Sequence, residues 1–173
     1  MPVLPFPYNR LAAVAYAPRW AYGRNPRYYD YENIGGDCTN FASQCVFAGC
    51  GIMNFTPTFG WYYIDANQKA PAWTGVEYLY RFLTRAENTV GPVAEEVPLA
   101  QLQPGDIVQL SFDGKTFGHT PVVVYADHPL STAQVLVAAH SVDSDNRPLN
   151  SYDYEALRCL HITAVKKRVP PVR

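Results

Sequence analysis

The sequence predicts an α+β fold, with helices first and an antiparallel sheet second. Three observations carry that reading. Apolar residues recur at helical spacing in three early segments, the period changes to two after Pro98, and the two regimes follow one another along the chain. The 173 residues suit a single domain, residues 1–173, long enough to bury a core without disulfides or metal. With 48% hydrophobic and 17% charged residues and a net charge of −1, the composition lacks the basic excess of a nucleic-acid footprint. No apolar run reaches the ~18 residues of a membrane-spanning helix. The start, Met1-Pro2-Val3-Leu4-Pro5-Phe6-Pro7, has no basic segment followed by an apolar one. No signal peptide is therefore expected, and the chain as it stands reads as cytoplasmic. A piece of a longer secreted or cell-surface protein would look the same.

The first helix is expected from Tyr8 to about Tyr22, with Leu11, Val14 and Ala15 on one face and Pro18 kinking or ending it. Arg24 to Asn33 has neither helical nor strand period and reads as an ordered loop. It leads into Gly35-Gly36-Asp37-Cys38, where two glycines turn the chain and Asp37 is placed to cap a helix running to Ala48. Cys38, Phe41, Ala42 and Cys45 share one side, small and apolar enough for a central helix, and Gly49 and Gly51 can end it. Phe55 to Trp73 reads as a long loop whose aromatics pack over that helix or wall a cleft. Thr74-Gly75-Val76-Glu77 fits a capping box opening a third helix, with Val76, Leu79, Tyr80 and Leu83 inward and Arg81 and Arg85 toward solvent.

Strands follow at Ile107–Leu110, His119–Tyr125, Gln134–His140 and Leu160–Val165, the first two joined through Asp113-Gly114. A polar loop is expected through Asn146-Arg147-Pro148. The cysteines at 38, 45, 50 and 159 contain no C-x-x-C pair, so neither a zinc ribbon nor a thioredoxin motif is indicated. A Cys50–Cys159 bridge is conceivable, but free buried thiols are the commoner outcome for such residues.

Cys38 falls in the first turn of its helix, where the positive end of the helix dipole favours thiolate. A thiol nucleophile needs a base within hydrogen-bond reach and a third group to orient it. His119 begins a strand after a glycine-containing hairpin, and His140 ends the next strand. Antiparallel pairing would set His140, or Asp143 just beyond it, beside His119. His128 and His161 read as a turn residue and an ordinary strand residue.

Several blocks together resemble the bacterial "putative amidase domain" family. These are Tyr8-Asn9-Arg10, Asn25-Pro26 with Tyr28-Tyr29, and above all Gly35-Gly36-Asp37-Cys38-Thr39-Asn40-Phe41 with Ser43-Gln44. Gly60-Trp61-Tyr62, Trp73-Thr74, Gly105-Asp106, His119-Thr120 and His140-Ser141 follow in order. The family looks like a branch of the papain-like thiol hydrolases, similar to NlpC-type peptidases and CHAP amidases. The resemblance implies a papain-like fold, Cys38 as nucleophile, His119 as general base and then acid, and His140 in the third position, with Asp143 competing for it. It calls for no cofactor or metal. Its substrate would be a peptide, a cell-wall peptide or a small amide. Trp61 and Tyr62 are candidates for the cleft wall, and Asp37 for binding a substrate amine if it does not cap. Two other classes fit the same residues: a binding module that has lost turnover, and a zinc site built from Cys38, His119 and His140.

Overall fold

The computed structural model describes residues 1–173. Strand β1 (Val3–Phe6) precedes helices α1 (Arg10–Trp20) and α2 (Cys38–Cys50). A short hairpin of β2 (Tyr63–Asp65) and β3 (Gln68–Lys69) leads into helices α3 (Pro71–Thr74) and α4 (Val76–Leu83). The remaining strands are β4 (Gly91–Val97), β5 (Ile107–Ser111), β6 (Val122–Tyr125), β7 (Leu136–Ala139), β8 (Ser144–Pro148) and β9 (Ala156–Arg168). The α+β class holds. Strands β5 to β8 are successive neighbours, and β9 returns to pair with β5 and β1 on one edge and with β4 on the other. All these pairings are antiparallel.

Strands β1, β4 and β8 are additions to what the sequence predicts, and all three lie at sheet edges. Edge strands tolerate proline and charge, which erases the apolar alternation that announces a strand. Pro5 sits in β1, Pro92, Glu95 and Glu96 in β4, and Asp145, Arg147 and Pro148 in β8, where a loop is expected.

Helix α1 begins after Asn9, whose side chain accepts the Ala12 N–H at 3.0 Å, and runs past Pro18 to Trp20. Its buried face is Ala13 and Ala17, not Leu11, which is 85% exposed. The contact with α2 explains the reversal. Asn9 N–H donates to Gly49 O at 3.0 Å, and a Cβ on Gly49 would collide with the Tyr8 ring. Backbones this close leave room for alanine and glycine only.

Helix α2 is the buried centre of the molecule, every residue from Cys38 to Val46 being buried, and it ends on Gly51 in the left-handed region at φ 68°. Its polar side chains are joints to neighbouring segments. Asn40 accepts from Trp73 Nε1 at 3.0 Å, Ser43 accepts from Trp61 Nε1 at 3.0 Å, and Gln44 accepts from the Tyr16 hydroxyl. The segment from Phe55 to Trp73 is therefore a hairpin and a helical turn pinned over α2. The expected capping box does not form: Thr74 ends α3, Gly75 precedes α4, and no side chain caps α4. Arg85, expected in solvent, folds back to donate to the carbonyls of Phe82, Pro92, Thr89 and Val90.

Alternation along the central strands feeds two cores. Ile107, Val122 and Ala138 face the helices, while Val108, Leu110, Val123 and Val137 pack with Leu102 and Leu149 on the opposite face. All four cysteines are free and buried. No helix is long and apolar enough to cross a membrane.

Candidate active site

Cys38 opens α2 and is 8% exposed, the largest value among the four cysteines. Its sulfur has one polar side-chain partner, Thr39 Oγ1 at 3.7 Å. Burial pushes the thiol pKa up; the Thr39 hydroxyl and the backbone N–H groups of Thr120 and Thr39 pull it down without reversing the shift. The raised pKa makes the resting sulfur a thiol at neutral pH. Cys50 and Cys159 are pushed up to about 11, also by burial.

His119 lies where Gly118 N–H donates to Leu110 O at 2.9 Å and Leu110 N–H donates to His119 O at 3.0 Å. Two residues facing one is the pattern of a β-bulge, which re-aims the bulged side chain. The imidazole is 5% exposed and packs at 5.4 Å from the Tyr152 ring and 6.4 Å from Phe112. Burial, aided by Arg147, pulls its pKa down to about 4, so the ring is neutral at ordinary pH. Its Nε2 is buried without a hydrogen-bond partner, as is the Tyr152 hydroxyl. No hydrogen bond joins His119 to Cys38; the Tyr152 ring packs on His119, and its phenol pKa is raised mainly by burial.

The expected third residues lie elsewhere. His140 is buried against Phe41, with ring centroids 4.2 Å apart, and its nitrogens meet Asp37 Oδ2 at 2.5 Å and Trp20 O at 2.8 Å. Nε2 also lies 3.3 Å from Arg24 Nη1, so both ring nitrogens are engaged and neither is free to orient His119. His140 lies just past the end of β7, which pairs with β6 from Val122 onward and not through His119. Asp143 forms a two-point pair with Arg24, at 2.9 and 3.1 Å. Arg24 also reaches Asp30, Glu32 and Asp37, at 3.2, 3.5 and 3.7 Å.

Asp37 holds the N-cap position of α2 but caps no helix amide. Its carboxylate is fully buried and accepts from Tyr31 N–H at 2.9 Å, Asn40 Nδ2 at 2.8 Å and His140. Its own N–H donates to Ser141 Oγ at 3.1 Å. Its side-chain oxygens are thus bonded to protein groups on all three sides. Trp61 is likewise a core residue at 0% exposure, and the half-buried Tyr62 packs 5.5 Å from Phe55. Cys38, His119 and His140 do not converge into a metal-ligand set. The Gly105-Asp106 block is structural: Asp106 accepts from Arg10 at 2.7 Å, His161 at 2.8 Å, and the backbone of Gln103 and Ile162 at 2.8 and 2.9 Å.

Sequence reasoning missed Thr39, Thr120 and Tyr152 as neighbours of the thiol. The first two stand inside recognised blocks, and only their tertiary contact reveals them: the two hydroxyls are 3.0 Å apart.

Fold and site define an α+β protein with a thiol at the start of its central helix and a neutral imidazole on the adjoining sheet. Residues 7–162 match the family described as "Putative amidase domain", and the chain belongs to that family, which indicates hydrolase activity in general. The chain is similar to "Uncharacterized protein YhbB" of Bacillus subtilis (strain 168), 36% identical over 136 residues, covering 75% of this chain and 42% of that protein. It therefore spans less than half the length of that relative. No solved structure matches it.

Proposed function

We propose that the chain is a thiol-dependent hydrolase of amide bonds in peptides or cell-wall peptides, with a papain-like arrangement similar to NlpC-type and CHAP enzymes. The observation that carries this reading is the unpartnered, buried Nε2 of His119, next in sequence to Thr120, whose backbone N–H bonds the Cys38 sulfur. A buried ring nitrogen without a partner is costly unless a substrate or a moving proton supplies one. Catalytic hydrogen bonds of this kind commonly tighten only once substrate is bound.

In the proposed reaction the Cys38 sulfur attacks the amide carbonyl carbon as its proton passes to His119. The C–S bond forms, and the carbonyl electron pair moves to oxygen, facing the backbone N–H of Cys38. Collapse breaks the C–N bond, and His119 returns the proton to the leaving amine. Water, deprotonated by His119, then releases the acid and restores the thiol. Because the resting pair is thiol and neutral imidazole, proton transfer accompanies attack. His140 and Asp37 serve by holding the chain on the nucleophile's side.

The test is turnover of peptidoglycan fragments and a peptide-amide panel by the wild type, Cys38→Ala and His119→Gln. Each substitution should lower kcat by roughly 10³-fold or more. Wild-type turnover in Cys38→Ala would overturn the proposal. Binding of fragments without turnover by the wild type would make the chain a recognition module.

A further inference from the structure

We infer that a directed hydrogen-bond relay runs from Arg158 through Gln109, Thr120 and Thr39 and ends on the Cys38 sulfur, holding a hydroxyl donor against it. The direction of the links from Arg158 to Thr120 follows from groups that can act in one sense only. A guanidinium only donates, and Arg158 Nε donates to Gln109 Oε1 at 2.8 Å, which fixes the orientation of that amide. Gln109 Nε2 must then donate, to Val76 O at 3.0 Å and to Thr120 Oγ1 at 3.4 Å. With one lone pair of the Thr120 oxygen occupied, its proton is available to Thr39 Oγ1, 3.0 Å away, and the relay takes that sense of a contact in which either hydroxyl can donate. The Thr39 proton is left for Cys38 Sγ at 3.7 Å.

The far end of the relay is a held cation. The Arg158 guanidinium lies 3.6 Å from the Tyr80 ring centroid and 4.0 Å from that of Phe117, and pairs with Glu77 at 2.9 Å. The links between are inside the protein: Gln109 and Thr120 are 0% exposed and Thr39 1%. Hydrogen bonds aligned in one sense in a low-dielectric interior polarise one another. A neutral sulfur accepts weakly and a thiolate strongly, so a donor fixed at the sulfur favours the charged form. Thr39 is thereby a catalytic residue in contact with the reacting atom, and Thr120, Gln109 and Arg158 are positioning residues. The catalytic meaning rests on Cys38 being the nucleophile; the relay itself does not.

The experiment is the pH dependence of iodoacetamide alkylation at Cys38, read by mass spectrometry of its peptide, in wild type, Thr39→Val, Thr39→Ser and Thr120→Val. Thr39→Val should slow alkylation about tenfold below the thiol midpoint and move that midpoint up by about one pH unit. Thr39→Ser should restore the wild-type curve, and Thr120→Val should move it the same way by less. Thr39→Ala, which only removes atoms, replaces the valine variant if that does not fold. An unmoved midpoint in the hydroxyl-less variant, or an equal shift in Thr39→Ser, would overturn the relay. Since alkylation needs no turnover, failure of the hydrolase reading appears separately, as equal turnover by wild type and Cys38→Ala.

Discussion

Asp37 shows how a single residue beside a nucleophile can be structural. Its buried carboxylate takes donors from the preceding loop (Tyr31), from its own helix (Asn40) and from the sheet (His140), with Arg24 Nε 3.7 Å away. Three segments that meet at Cys38 are thereby tied to one group. Asp37→Asn would point an amide N–H₂ at donors and leave His140 without its anion. We expect it to lower unfolding stability by ~3 kcal/mol, seen as a reduced urea midpoint at unchanged slope. An unshifted midpoint would show that the carboxylate anchors nothing.

The contact of α1 with α2 sets where the opening motif sits relative to the chain before it. Gly49 faces the Tyr8 ring, and an added Cβ would also lie 2.8 Å from the Asn9 carbonyl. Gly49→Ala must push the two helices apart, at a cost of ~2 kcal/mol. Gly51 differs in kind: it has open space around it but a left-handed backbone, so Gly51→Ala should cost ~1 kcal/mol through its φ alone. Thermal melts of the two variants should rank in that order. The reverse order would mean that the helix end, and not the interhelical contact, limits stability.

Across the whole molecule, the neutral burial of His119 couples folding to pH. Its folded pKa is about 4 against an ordinary value of 6.5. Between those values the unfolded chain binds a proton that the folded chain does not, so stability falls as pH drops through that window. The full effect of this group is ~3 kcal/mol and is complete below about pH 4. In His119→Gln, unfolding free energy measured in urea from pH 7 to 4 should fall less steeply than in wild type. Parallel curves would place the imidazole in water.

The sequence by itself determined the fold class, the central helix with its thiol at the first position, and the hairpin that carries His119. Those features rest on local signals: hydrophobic period, glycine at a helix end, and turn residues between apolar runs. Tertiary structure alone decided the edge strands β1, β4 and β8, because edge positions lack the burial that makes a strand visible. It also decided the face of α1, where close backbone approach selected alanine over leucine. The partners of Cys38 are of the same kind. The fold carried His140 to Asp37 and Trp20 and Asp143 to Arg24, so proximity in sequence did not become proximity at the sulfur. Burial, a property of the assembled fold, then determined the protonation of both groups: the thiol is pushed up and the imidazole down, whatever charge their neighbours in sequence carry.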